Sequence, residues 1–156
     1  KDLVKLLRPY NCKILAYDIL DYKEFYEENK VIPISLEDLL KESDVVTLHL
    51  PLDESTKYIM NKERLKMLKE NAILINLARG GLIDEQALKE IIIDKKIGGV
   101  ALDVFEIEPP VDKLFSSMEN VLVTPHIGGS TEEAILAMGL AAIEGLKNPQ
   151  EPLDLI

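Results

Sequence analysis

The sequence is poor in the features that mark extracellular, membrane or nucleic-acid proteins. A single cysteine, Cys12, stands among 156 residues, so no disulfide forms within the chain. Its turn-like setting, Pro9-Tyr-Asn-Cys12 ahead of a strand, reads as an unreactive thiol. Long apolar runs are missing too: Ala72 to Leu77 and Gly98 to Leu102 fall far short of the roughly 20 residues a membrane span needs. No signal-peptide pattern opens the chain. Basic residues number 18 against 28 acidic ones, a net charge of -10, and no Lys or Arg block is long enough to track a phosphate backbone. The 2 histidines lie far apart and, with one cysteine, do not make metal-ligand spacing. These gaps predict a reducing, cytoplasmic setting, with no nucleic acid, no membrane and no metal.

What is present suits one domain: hydrophobic residues make up 47% of a length that buries one sizeable core. Short β-type runs alternate with amphipathic stretches. Lys13 to Tyr17, Val31 to Ile34, Asp44 to Leu50, Ala72 to Leu77, Gly99 to Val104 and Asn120 to Thr124 read as strands, the third stopped by Pro51. Between them lie helices with polar starts. Ser35-Leu-Glu-Asp38 has capping-box form, Asn61 can cap Lys62 to Leu68, and Asp84 can cap Glu85 to Asp94. Ser130-Thr-Glu-Glu133 forms a further capping box before an apolar helix reaching Leu146. Such alternation, with strands apolar on both faces, predicts an α/β fold, a doubly wound parallel sheet covered by helices on both sides. Ligands bind such sheets at the carboxyl ends of the strands.

The residues at those ends carry chemistry. Asn76-Leu-Ala-Arg79-Gly80-Gly81, Glu106-Ile-Glu108-Pro-Pro and Pro125-His126-Ile-Gly-Gly-Ser130 each follow an apolar run. One Arg, one or two carboxylates and one His therefore converge on one edge, a proton-transfer site with an anion clamp. His126 suits proton transfer near neutrality, Glu106 or Glu108 can orient it, and Arg79 offers a permanently charged fork for a carboxylate. Asp18, at the end of the first strand, can accept hydrogen bonds from an adenosine ribose and repel a 2′-phosphate, which favours NAD over NADP. Lys23 is the one nearby cation against that reading.

A glycine fingerprint G-x-G-x-x-G should precede that acid by about 20 residues. Counting back from Asp18 puts its last glycine just before Lys1, and Lys1 to Arg8, with Leu3, Val4 and Leu7 on one face, reads as the helix that follows it. The chain is therefore expected to lack the first strand and glycine loop of its fold.

Taken together, Tyr17-Asp18, Asp44-Val-Val-Thr-Leu-His-Leu-Pro51, Asn76-Leu-Ala-Arg-Gly-Gly81 with Asp84, Leu102-Asp-Val-Phe-Glu-x-Glu-Pro-Pro110 and Thr124-Pro-His-Ile-Gly-Gly-Ser-Thr131 resemble the D-isomer-specific 2-hydroxyacid dehydrogenases over essentially the whole chain. The resemblance implies a Rossmann-like NAD domain and hydride transfer between NAD and a D-2-hydroxy acid or 2-keto acid. It assigns His126 as acid and base, Glu108 as its partner and Arg79 as the holder of the substrate carboxylate. It puts Asp103, the Ala78 carbonyl and Gly128 near the nicotinamide, and Thr47, Pro51 and Thr56 around the adenine and ribose. The backbone and prolyl ring of Leu48-His-Leu-Pro51 then edge the adenine pocket, which makes His49 a structural or supporting residue rather than a second catalyst. The Pro-His-Ile-Gly-Gly-Ser-Thr form is most similar to the branch that oxidises 3-phosphoglycerate to 3-phosphohydroxypyruvate in serine biosynthesis. Glyoxylate or hydroxypyruvate reduction and an NAD(H)-sensing, corepressor-like role are the alternatives.

Residues 1 to 148 are thus expected to be a shortened dinucleotide-binding domain, and 149 to 156 the start of a return to a substrate domain, since Pro149 and Pro152 break the last helix. Weak or no turnover is expected of the chain by itself. The helix from Ser130 to Leu146, with Ala134, Ile135, Met138, Ala141, Ala142 and Gly145, is the expected contact of a homodimer, though its own sheet can cover part of that face.

Overall fold

The computed structural model describes residues 1–110 and 113–149. Helix α1 (Asp2–Leu7), strand β1 (Ile14–Ala16), α2 (Lys23–Asn29) and β2 (Val31–Pro33) come first. They lead into α3 (Leu36–Glu42), β3 (Val45–Leu48), α4 (Lys62–Leu65), β4 (Ile73–Asn76) and α5 (Glu85–Ile93). The chain continues through β5 (Gly99–Leu102), α6 (Leu114–Ser117), β6 (Val121–Val123) and α7 (Glu132–Lys147). Each strand is shorter than its apolar run, as at β3, where Asp44, His49 and Leu50 lie outside the strand. Of the segment expected over 149 to 156, all but Pro149 lies outside the described residues.

All strand pairs are parallel, but they form two sheets: β1 with β2, and β3-β4-β5-β6 in that order. With β1 and β2 as its strands 2 and 3 and β3 to β6 as its strands 4 to 7, this follows the doubly wound order 3-2-1-4-5-6 with one further strand, the described residues holding no counterpart of strand 1, which would pair with both β1 and β3. Within each sheet the parallel arrangement sends the strands' carboxyl ends to one edge.

Registers align buried rows across the larger sheet. Val46 stands opposite Leu74, Leu74 opposite Val100, and Leu48, Asn76 and Leu102 form the next row. Against this face α5 packs Ala87, Leu88, Ile91 and Ile92, with Met60, Leu65 and Leu82 filling in beside it. Burying each of the Leu, Ile and Met side chains among them contributes about 1.5–3 kcal/mol. The opposite face is only partly covered: Val45, Ile73 and Leu122 are 52%, 42% and 66% exposed. Helical cover on both sides was expected, yet α7 buries none of its residues.

Three helix starts follow the polar residues expected. Ser35 accepts the Asp38 N–H, Asn61 the Arg64 N–H and Asp84 the Ala87 N–H. The start of α7 is a correction: Thr131, not Ser130, caps it, accepting the Ala134 N–H at 3.1 Å. Ser130 closes the preceding turn instead, its N–H donating to the Ile127 carbonyl and its hydroxyl to the His126 carbonyl. Helix α4 stops at Leu65, where Leu68 was expected.

Candidate active site at the carboxyl edge

Asn76, the last residue of β4, falls on the buried face and is 1% exposed. Its amide grips the loop that follows: Nδ2 donates to the Arg79 carbonyl at 2.8 Å and Oδ1 accepts the Ala78 N–H at 3.1 Å. Arg79 is held by its backbone with its side chain exposed, Nη1 donating to the Ala78 carbonyl at 2.6 Å. Gly80 follows because nothing larger fits, since a Cβ there would lie 2.0 Å from the Phe105 carbonyl carbon. The loop carrying Arg79 is therefore pressed against the loop after β5.

That second loop begins with Asp103, buried at the end of β5. Its carboxylate accepts the Thr124 hydroxyl, the Ile127 N–H at 2.9 Å and the Gly128 N–H at 2.9 Å. Burial pushes the Asp103 carboxyl upward, but those three donors and the nearby His126 outweigh it and hold the group below the usual carboxylate range. A Cβ at Gly128 would come within 3.1 Å of the Asp103 carboxylate. Asp103 thereby anchors the loop that presents His126.

His126 adopts φ 54°, the left-handed region in which a side-chain-bearing residue costs roughly 1–2 kcal/mol. Its Nδ1 lies 2.7 Å from Glu108 Oε2, while Glu108 Oε1 accepts the Phe105 N–H at 3.0 Å. The bond to His126, then that to Phe105, hold the Glu108 carboxyl below its ordinary range. An ionised carboxylate only accepts, so in the neutral imidazole Nδ1 carries the proton and Nε2 keeps the lone pair that can act as a base. Of the two carboxylates that spacing allowed, Glu108 partners the imidazole; Glu106 is bonded elsewhere, to Tyr58 and Glu85. A cavity of about 500 Å³ opens beside the pair, lined by Asp103, Glu108, Phe115, Pro125 and His126 among others.

The remaining candidates follow other strand ends in separate groups. Asp18 is exposed past β1, one oxygen accepting the Leu20 N–H at 2.8 Å, beside a hollow of about 220 Å³ that Asp21, Tyr26 and Pro33 also line. Its second oxygen stays open to a ligand among the described residues. Thr56 donates to the Pro51 carbonyl at 2.8 Å and accepts the Asp53 N–H, which folds the loop after β3 on itself. Thr47 bonds His49 at 3.1 Å, and burial pushes His49 below its usual value. No bond joins Arg79, Asp18 or the Thr56 loop directly to His126 among the described residues. Asn76, Asp53 and Thr124 were not singled out from sequence. Asn76 was detectable, as a polar residue on the buried phase of a strand.

Comparison with known proteins decides the family. A profile described as "D-isomer specific 2-hydroxyacid dehydrogenase, NAD binding domain" matches residues 1–128. The chain belongs to this family. It is 43% identical over 148 residues to D-3-phosphoglycerate dehydrogenase of Methanocaldococcus jannaschii, covering 94% of this chain and 28% of that one. Against hydroxypyruvate reductase of Thermotoga maritima it is 41% identical, covering 92% of this chain and 47% of the other. The crystal structure of Aquifex aeolicus D-lactate dehydrogenase complexed with NAD and lactic acid superposes with a TM-score of 0.82 at 30% identity, over 93% of this chain and 48% of that one. This 2-hydroxyacid dehydrogenase domain thus spans less than half the length of these relatives. The residues present fit a dinucleotide at both ends, with an open carboxylate at Asp18 for a ribose and a built cavity at Asp103 and His126. No G-x-G-x-x-G occurs in the chain to hold the phosphates between them.

Proposed function

We propose that this chain is the cofactor domain of an NAD-dependent D-2-hydroxyacid dehydrogenase, working within a longer polypeptide that supplies the phosphate loop and a substrate domain. The observation that carries the reading is the 2.7 Å His126–Glu108 pair, held on a loop that Asp103 anchors. Bound NAD would supply the hydride acceptor for C2 of the substrate. In oxidation His126 Nε2 takes the hydroxyl proton, and the Glu108 carboxylate at Nδ1 stabilises the imidazolium that forms. In reduction the same imidazolium returns the proton. Arg79 holds the substrate carboxylate and polarises the C2 oxygen as charge develops there.

Asp103, Ala78 and Gly128 are proposed to receive the nicotinamide, and Asp18, Thr47, Pro51 and Thr56 the adenosine. Asp18 selects NAD by repelling a 2′-phosphate. We take 3-phosphoglycerate, in serine biosynthesis in the cytoplasm, as the substrate, on the 43% identity to a phosphoglycerate dehydrogenase. Homodimerisation is proposed through α7, whose Ile135, Leu136 and Met138 are exposed. The test follows absorbance at the NADH band in the full-length protein offered 3-phosphoglycerate, hydroxypyruvate, glyoxylate or D-lactate. Turnover that falls about 10²–10⁴-fold in His126→Ala is expected. NADH binding without turnover of any acid would overturn the enzyme and leave a sensor.

A further inference from the structure

Glu106 is the carboxylate the proton-transfer site does not use, and it stands where three loops meet. Its N–H donates to Glu85 Oε1 at 2.6 Å, while its own Oε1 accepts the Glu85 N–H at 3.3 Å. Its Oε2 accepts the Tyr58 hydroxyl at 3.1 Å. Glu85 is the first residue of α5, so its N–H is one of the donors that a helix start leaves without an intrahelical partner. Asp84 takes another, that of Ala87, and the two carboxylates divide the first turn between them. The exchange with Glu85 is reciprocal, like a capping box, but it joins two separate loops rather than two turns of one helix.

Each of those loops leads to a group of the site. The Gly80–Leu82 turn follows Arg79 directly, and Gly80 touches the Phe105 and Glu106 backbone so closely that a Cβ would lie 2.5 Å from the Glu106 nitrogen. On the other side, the Phe105 N–H binds the same Glu108 that orients His126. Tyr58 completes the tie: held at φ 51°, it donates its N–H to the Gly81 carbonyl at 2.8 Å and its hydroxyl to Glu106. The bond to Glu106 and that group's charge push the Tyr58 phenol up, which keeps it a donor.

We propose that Glu106 is a positioning residue, setting the distance between the Arg79 anion clamp and the Glu108–His126 pair by fastening their loops together through Glu85 and Tyr58. The proposal rests on the function proposed above. Misplacement of about 1 Å between such groups can cost on the order of 10²-fold in rate, and loss of supporting hydrogen bonds typically costs 10–100-fold.

The test uses full-length protein with NAD or NADH. Glu106→Ala should lower kcat/KM about 10–100-fold, chiefly through a higher KM for the 2-keto acid, and weaken oxalate binding to the NADH-loaded protein at least tenfold by calorimetry. Glu106→Gln keeps one acceptor oxygen for the Glu85 N–H and can donate from its amide to the Tyr58 hydroxyl oxygen, so it should recover activity to within about threefold; Tyr58→Phe should fall between. The acidic limb of the pH–rate profile should stay where it is in all three variants, whereas Glu108→Gln moves it. Amide exchange at Gly80 to Glu85 should speed up in cofactor-free Glu106→Ala. Unchanged KM and oxalate affinity in a less stable Glu106→Ala would make the residue structural only and overturn the proposal. A shifted acidic limb would also overturn it, by making Glu106 a partner of the imidazole. A wild type that neither turns over nor binds oxalate removes the underlying function, and the proposal with it.

Discussion

Helices α5 and α7 make opposite uses of their apolar residues. The shorter, α5, runs 9 residues and buries Ala87, Leu88, Ile91 and Ile92; the longer, α7, runs 16 and buries none. Length and apolar content therefore do not decide what a helix contributes. The partner surface does: α5 meets the row of Val46, Leu74 and Val100, while Ile135, Leu136, Leu140 and Ile143 of α7 face solvent. The largest effect should come from breaking this contrast directly. Leu88→Ala, at a site 0% exposed, should cost about 2–5 kcal/mol in urea unfolding, and Leu140→Ala, at 58% exposure, less than about 0.5 kcal/mol. Equal losses would mean that α7 packs in solution.

The chain changes character near Ser130, and Asp103 marks the fixed side of that boundary. Its carboxylate holds Thr124, Ile127 and Gly128, so the loop that leads into α7 is locked although the helix is not. Asp103→Asn keeps one acceptor oxygen and turns an amide toward an N–H, which should cost about 1–3 kcal/mol near neutrality. The pH dependence has a definite sign. The folded-state pKa of Asp103 is depressed, so its stabilisation is present above the unfolded value of about 3.9 and is lost as pH falls through the folded value. Wild type should lose urea resistance below about pH 4, and Asp103→Asn should lose less of it over the same interval. Parallel curves would take the loop's anchor away from Asp103.

The same boundary separates what the sequence disclosed from what it hid. The strands were readable because β-branched runs between polar stops have few other uses, and the caps at Ser35, Asn61 and Asp84 because a short oxygen side chain before an apolar stripe satisfies a free N–H. The site was readable for the same reason, since the strand ends carry its residues and parallel strands put those ends on one edge. Spacing left Glu106 and Glu108 equivalent; only the turn at Phe105, whose N–H binds Glu108, separates them. Helices α2 and α6 carried no strong start, and the structure finds no side-chain cap bond at either. The cover of the second sheet face was not readable, because a stripe such as that of α7 states that something apolar must meet it but not what.

The smallest effect sharpens the comparison most. Asp84 caps α5 and Thr131 caps α7 by the same bond, an oxygen accepting the N–H three residues on, at 3.0 Å and 3.1 Å. Losing such a cap costs about 1 kcal/mol when the helix is needed by the fold. Helix α5 is needed, so Asp84→Ala should lower the unfolding free energy by about that amount. At 16 residues α7 is near the length at which a helix without tertiary support is marginal in water, so it can fray while the sheet stays folded. Thr131→Ala in this chain should therefore reduce the helical circular dichroism signal and leave the unfolding midpoint unchanged within a few tenths of a kcal/mol. Repeating the pair in the full-length protein separates two origins of the contrast. If Thr131→Ala there costs as much as Asp84→Ala, α7 is held by surface outside residues 1–149; if it remains silent, the helix stays unsupported in the whole protein as well.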